Sequence, residues 1–221
     1  MLLTLKSREH NDLARQRLEY RQCSALNLGL GDRFKSWDLE LAINVLDQYL
    51  GPTANILDIG AFCSEMCASL SLLGYQNLYA IDLNPKILDQ PLNKNIHYAV
   101  GDFYHTAAVS GSFDAVTAIS VIEHGYNPDT VFVEIARLLK PGGLFVASYD
   151  YWPTKIPTDH VVSFGMPWTI FSQEEVKHMV TQAARHGLEP LTNHCDLDAH
   201  EPHIMYNGFD YTFGFVVFRR V

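Results

Sequence analysis

Residues 55–64 read NILDIGAFCS, an apolar run that ends at Asp58, passes one glycine and opens toward a helix. A short apolar run bounded by turn residues suits a strand buried on both faces, as in a parallel sheet covered by helices. Ser64 can cap the following helix, Glu65 suits its positive end and Gly74 stops it, so a helix is expected over 64–73. A strand, a tight turn and a helix N-terminus gather backbone N–H groups in one place, and Gly60 leaves that place free of a side chain. With a single glycine, the turn suits an ordinary connection as well as a ligand site.

The pattern then repeats. Residues 77–82 (NLYAID) are a second apolar run ending in an acid, and Pro85 starts a short helix near 85–89. Residues 96–100 lead into Gly101-Asp102, and 113–121 lead into Glu123-His124. Asp129 caps a helix to Lys140, Pro141-Gly142-Gly143 breaks it, and 144–149 form a fifth strand ending at Asp150. Strands alternating with helices imply a parallel sheet. Upstream, Ser36 opens a helix to Leu50 with Leu39, Ile43 and Leu46 on one face.

Before that helix, residues 12–26 favour a helix with a poor apolar stripe, followed by a Gly-containing loop over 27–32. Residues 1–35 are therefore expected as a helical arm or lid, and removing 1–30 is expected to spare the fold. Downstream, 151–170 are irregular and rich in Pro, Thr and aromatics, and Ser172-Gln-Glu-Glu175 is a capping box for a helix ending at Gly187. Residues 188–193 and 211–219 read as a final antiparallel pair. The expected fold is α/β: a doubly wound, seven-stranded, mostly parallel sheet with an antiparallel last strand, carried by residues 36–221.

Composition narrows the function. With 221 residues, 48% of them hydrophobic, the chain can build a sizeable core. Its net charge of −9 argues against a phosphate-backbone footprint, so no nucleic-acid partner is expected. Residues 1–35 carry +3 and the remainder −12, a basic arm on an acidic body. The start, MLLTLKSREH, is too short in apolar residues for a signal peptide, and no run is long enough to span a bilayer. A cytoplasmic protein with reduced thiols and no membrane partner is expected. Residues 194–203 (HCDLDAHEPH) concentrate potential metal ligands without a recognised spacing, so no metal is assigned.

In open α/β sheets ligands sit outside the carboxyl ends of the strands. Asp58, Asp82, Asp102, Glu123-His124 and Asp150 are all expected on that edge, with the two carboxylate oxygens of Asp82 placed for ribose hydroxyls. The order ILDIGAFCS, YAIDLNP, VGDFYHT, FDAVTAISVIEH and RLLKPGG resembles the class I S-adenosylmethionine-dependent methyltransferases, most closely the type 11/12 small-molecule branch, over residues 36–150. The resemblance implies S-adenosylmethionine as cofactor and a small or medium-sized acceptor, in a monomer or homodimer. It implies Asp58 and Gly60 near the methionine part, within the turn that continues through Ala61 and Phe62. Asp82 would take the ribose, Leu83 the adenine face, Asp102 the adenine amine with Phe103 beside it, and Ser120 and Glu123-His124 would stand by the methyl donor. The departure is in the first motif, which has one glycine where the family has two or three; there Phe62 crowds the methionine pocket or closes it.

Methyl transfer asks a protein for in-line positioning and, for a hydroxyl acceptor, a base. His124 is the first choice, titrating near the usual imidazole pKa of about 6.5, with Asp150, Tyr151 and His160 behind it. The acceptor pocket is expected from residues 1–35, 151–170 and 194–210, with Trp152 lining it. Two other readings compete. A nicotinamide-dependent oxidoreductase shares the strand, turn and acid, but lacks here the second and third glycines its pyrophosphate requires. A non-catalytic binding protein could keep the fold without the chemistry.

Overall fold

The apolar runs fold as neighbouring parallel strands. The computed structural model describes residues 1–90, 94–158 and 160–221. In chain order it contains β1 (Leu2–Thr4), α1 (Arg8–Tyr20), α2 (Ser36–Tyr49), β2 (Asn55–Ile59), α3 (Met66–Leu72), β3 (Asn77–Asp82), β4 (Ile96–Val100) and β5 (Phe113–Ile119). There follow α4 (Pro128–Leu138), β6 (Leu139–Tyr151), β7 (Val162–Ser163), β8 (Met166–Pro167), α5 (Gln173–Arg185), β9 (Leu188–Pro190), β10 (Ile204–Tyr206) and β11 (Phe209–Arg220). The main sheet runs β1-β11-β6-β5-β2-β3-β4, with β9 and β10 also paired to β11.

Strands β4, β3, β2, β5 and β6 are parallel to one another, and β11 enters antiparallel to β6. The antiparallel pairing of β9 with β11 is the pair expected from the sequence. Among the described residues the sheet has nine strands rather than seven, because β1 and the short β10 also join β11. Residues at alternate positions face opposite helical layers. Ile56 packs with α1, α2 and α3, whereas Leu57 and Ile59 pack with α4 and α5. Burial on both faces is why these strands are continuously apolar.

Several element ends differ from their sequence expectation for identifiable reasons. Ser7, not a later residue, caps α1, its side chain accepting from the His10 amide. Ser36 lies inside α2 instead of capping it: its amide donates to Asn11 Oδ1 at 3.0 Å and its hydroxyl to the Arg33 carbonyl. Asn127, with Pro128 behind it, caps α4 in place of Asp129. Strand β5 stops at Ile119 because Ser120 takes φ +52°. The expected capping box of Ser172 and Glu175 is present at α5.

Residues 1–35 are bound into this body at both ends. Strand β1 pairs with Gly214, Phe215 and Val216, while Ala14 and Leu18 on α1 are fully buried. Between them, the buried Arg15 guanidinium grips Glu65 through both carboxylate oxygens, at 3.1 and 2.7 Å, and also donates to Ser24 and Ser36. Glu65 Oε1 accepts in addition from the Ala25 amide at 2.8 Å. Glu65 stands immediately before α3, so this cluster ties the arm to the turn after β2. Removing residues 1–30 would therefore strip an edge strand, buried apolar side chains that include Leu5, Ala14 and Leu18, and the counterion of a buried carboxylate, so this packing speaks against the expectation that the fold is spared.

Breaking a buried ion pair from one side leaves the other charge uncompensated at a cost of about 3–5 kcal/mol. Glu65→Ala is expected to lose stability of that order in urea unfolding. The double replacement Arg15→Met with Glu65→Leu should recover much of it, because the stranded charge is then gone. A double variant as unstable as Glu65→Ala would show that packing, not charge, is what the pair supplies.

Candidate active site

The chain leaves β2 to build β3 and β4 on one side, then returns to place β5 on the other. A crevice is thereby left outside the carboxyl ends of the strands where the order reverses. It holds a cavity of about 750 Å³, lined from β2's end by Gly60, Phe62, Cys63, Ser64 and Glu65, and from β3's end by Asp82, Leu83 and Asn84. Phe103 follows β4; Ile119, Ser120, Val121 and His124 come from β5 and its end. The arm adds Gly31, Asp32 and Lys35, α2 adds Leu39, and the β7–β8 hairpin adds Phe164 and Met166.

The turn after β2 is built by contacts between adjacent strand ends. Gly60 has φ +66°, and a Cβ there would lie 2.5 Å from Val121 Cγ2, so both backbone conformation and the neighbouring strand end demand glycine. The Ala61 amide donates to the Ile81 carbonyl at 3.1 Å, placing Ala61 in the turn's buried foundation and outside the cavity lining. Phe62 packs partly against the core and forms a wall of the cavity, which stays open. Its amide donates to Asp82 Oδ2 at 3.0 Å, and the Asn84 amide donates to Asp82 Oδ1 at 2.7 Å. Two backbone donors thus aim the Asp82 carboxylate, and each oxygen retains a lone pair for a ligand.

Leu83, 52% exposed, and the buried Phe103 present apolar surface beside Asp82. Asp102 lies next to Phe103 but does not line the cavity; its Oδ1 accepts from the Tyr104 amide at 2.9 Å and its side chain is nearly half exposed. Ser120 lines the floor in a left-handed conformation, its amide donating to Ser148 Oγ at 2.9 Å. Its own hydroxyl is buried without a protein partner among the described residues. A buried hydroxyl without a partner beside a cavity is a polar group that the fold itself leaves unused.

The acidic edge expected from the sequence divides into an exposed part and a buried part. Asp58 lies beneath the cavity, Oδ1 accepting from Thr117 at 2.6 Å; burial pushes its carboxyl up to about 7. Glu123 is buried and held well above the usual carboxylate range by burial and then by Asp150. Asp150 accepts from Trp168 Nε1 at 2.8 Å, and burial raises it to about 6. These three therefore support the site from below and do not line it. Their alignment with the strand ends was legible; their burial depends on the helices and loops that cover them.

Among the four groups considered as a base, one reaches the cavity. His124 lines it, with Nδ1 buried and unpartnered among the described residues and its ring edge-on to Phe164 at 5.0 Å. Burial, and secondarily the charge of Lys35, push its imidazole down to about 4, well below the 6.5 expected from sequence. Tyr151 is fully buried, its hydroxyl donating to the Leu197 carbonyl at 2.6 Å, so its proton is already committed to the fold. His160 is exposed, with its ring 6.4 Å from that of Phe209 and outside the lining.

Of the three segments expected around the acceptor, 1–35 and 151–170 contribute lining residues, while 194–210 contributes none. That loop is instead drawn to the β1 edge, where Lys6 bonds Asp196 and the Leu2 carbonyl receives the Asp196 amide. Trp152 packs into the core and does not line the cavity. Sequence reasoning missed Lys35, Phe164 and Met166 as individuals. Phe164-Gly165 is legible as a turn, but what it overhangs depends on the Gly125 amide holding the Pro167 carbonyl at 2.7 Å.

Comparison with known proteins agrees with this geometry. Residues 57–147 match the family model described as a methyltransferase domain. A ubiquinone biosynthesis O-methyltransferase of Xanthomonas oryzae pv. oryzae is 34% identical over 108 residues, which is 45% of each chain, so the match spans under half the length of that relative. A sarcosine dimethylglycine methyltransferase assignment from Galdieria sulphuraria has a structure similar at TM-score 0.62 and 16% identity, covering 85% of each chain. An S-adenosylmethionine dependent methyltransferase from Mesorhizobium loti is similar at TM-score 0.59 and 16% identity, covering 84% of this chain and 98% of the other. No helix among the described residues is long and apolar enough to cross a membrane. Residues 57–147 are thus similar to a methyltransferase domain, and the chain shares the fold of those two solved structures.

Proposed function

We propose that this chain is an S-adenosylmethionine-dependent methyltransferase acting on a small or medium-sized acceptor. The observation that carries the reading is the oriented carboxylate of Asp82, facing a 750 Å³ cavity at the sheet's switch point between the Gly60 turn and the Ser120 hydroxyl. The residues present fit the cofactor's parts: Asp82 for two ribose hydroxyls, Leu83 and Phe103 for a flat base, Ser120 for a polar group near the floor. When bound, the cofactor supplies a methyl group on a sulfonium, whose departure needs no help from an acid. The protein's share is to hold the acceptor in line, exclude water and receive a proton where the acceptor is a hydroxyl.

His124 is placed for that proton. At neutral pH its depressed pKa keeps the ring uncharged; Nδ1 is buried, so in the Nδ1–H tautomer it is Nε2 that offers a lone pair to the cavity. The same burial makes it a weaker base than a free imidazole, which suits an acidic hydroxyl such as a phenol better than an aliphatic alcohol. The relatives' name includes O-methyltransferase, which supports an oxygen acceptor here. The chain's net negative charge supports a small molecule over nucleic acid.

Asp82→Ala is expected to weaken S-adenosylmethionine binding by about 1–3 kcal/mol in titration calorimetry, since the ribose loses a charged acceptor. Asp82→Asn should lose less, because one oxygen remains for the Phe62 or Asn84 amide. Unchanged affinity in the alanine variant would remove the ribose assignment.

His124→Ala is expected to lower kcat by about 10²–10⁴-fold with cofactor affinity nearly intact. Because the folded protein holds the imidazole near 4, protonation abolishes the lone pair only below that pH. The acid limb of kcat/KM should therefore lie near pH 4 and not near 6.5. A limb at 6.5 would mean another group takes the proton; lost cofactor binding and thermal stability in the variant, with kcat preserved at saturation, would make His124 structural.

A further inference from the structure

The methyl-donor side of the cavity is accounted for by Asp82, Leu83, Phe103 and Ser120; the opposite side holds a different set of groups. Lys35 is the sole cation among the described lining residues, and it makes no ion pair or hydrogen bond through its ammonium there. The arginines and lysines nearest it in sequence are engaged: Arg15 with Glu65, Arg17 with Glu40, Arg21 with Asp47 and Arg33 with Glu19. The charge of Lys35 acts on His124, Glu123 and Asp150, which stand at the ends of β5 and β6, away from the β3 end that carries Asp82. None of those acids reaches it as an ion pair.

Facing Lys35 across the His124 side is an apolar overhang. Phe164 sits at the tip of the β7–β8 hairpin, 79% exposed, with φ +53° followed by Gly165 at +79°. A bulky side chain in the left-handed region is strained, and a ring left in water gives back none of that cost. Met166 lies beside it and is itself pressed close to Gly125, where a Cβ would meet the Met166 sulfur at 3.3 Å. The hairpin thus carries two adaptable apolar groups beside the His124 ring at the cavity wall.

We infer that the methyl acceptor is a flat, apolar, hydroxyl-bearing acid: its carboxylate rests on the Lys35 ammonium, its ring lies under Phe164 and Met166, and its hydroxyl meets His124 Nε2. This rests on the methyltransferase reading and adds a substrate class to it. In the transfer, the hydroxyl oxygen forms its bond to the methyl carbon as the carbon–sulfur bond of the S-adenosylmethionine sulfonium breaks. The sulfur keeps that electron pair as a neutral thioether and the hydroxyl proton passes to His124. The acceptor's carboxylate takes no part in bond making; a lone cation in a largely apolar chamber fixes which end of the molecule enters last and so which hydroxyl is presented.

The test is calorimetry on the full chain saturated with S-adenosylhomocysteine, which prevents turnover. The probes are hydroxybenzoate, hydroxyphenylacetate and hydroxyphenylpropanoate, each beside its neutral amide. At least one acid should bind about tenfold more tightly than its amide, the scale of one charge-assisted contact. Lys35→Met should erase that ratio and Lys35→Arg should keep it, while S-adenosylhomocysteine affinity stays within about twofold in both. Phe164→Ala, an exposed position, should weaken acid and amide alike and leave their ratio unchanged. Equal binding of acid and amide in every pair, or binding of neither, overturns the inference. So does a tenfold loss of S-adenosylhomocysteine affinity in Lys35→Met, which would assign Lys35 to the cofactor's own carboxylate. Failure of the unaltered chain to bind S-adenosylhomocysteine is a separate result: it overturns the methyltransferase reading first and this inference with it.

Discussion

Parallel strands cannot be joined by a tight turn, and that constraint shapes everything at this site. Each strand from β2 to β6 must return across a face of the sheet before the next begins, so every carboxyl end falls on one edge. The chain then starts in the middle, goes out to β4 and comes back to β5, which parts the connections on either side of β2. The crevice is a consequence of that route. Gly60 against Val121 shows how closely the two strand ends approach at its base, and Asp82, braced by the Phe62 and Asn84 amides, shows how the loops use the backbone donors gathered there.

Around that crevice the chain sorts its charged groups by depth. Asp58, Glu123 and Asp150 stand at the same edge of the sheet as Asp82, yet they are buried, and burial drives their carboxyls toward the neutral form. Asp82 stays open to the cavity. The histidine that follows Glu123 is treated as the acids are: burial favours its uncharged form, which for an imidazole means a lower pKa and a free lone pair at neutral pH. One desolvated floor therefore raises the carboxyl pKa values and lowers that of the imidazole together, beneath the cavity.

The arm closes the opposite side by an electrostatic clamp. Arg15 and Glu65 are each buried, and each is satisfied because the other is present and because Ser24, Ser36 and the Ala25 amide complete their hydrogen bonds. That arrangement brings Gly31 against Glu65 and sets Lys35 at the cavity wall. The turn after β2 and the arm thus meet at one cavity wall, where Glu65 and Lys35 both stand.

What the amino-acid sequence determined by itself was the periodic part. Strands β3 and β4 occupy the residues expected, because uninterrupted apolar runs bounded by Gly, Pro and Asp have few other stable conformations beside a helix-covered sheet. The Gly60 turn, the Ser172 capping box and the placement of Asp82 at a strand end were equally local. What tertiary structure decided was depth and proximity. The edge strand β1 carries only three residues and is defined by β11, two hundred positions away. Tyr151 and Asp150 read as rim groups until Leu197 and Trp168 claim their polar atoms. Phe164 and Lys35 meet one cavity from opposite ends of the chain, and no local pattern encodes a contact between segments that separate folding paths bring together. Burial, and with it the pKa of His124, is a property of everything packed around a residue, which is why its strand-end position was legible and its titration was not.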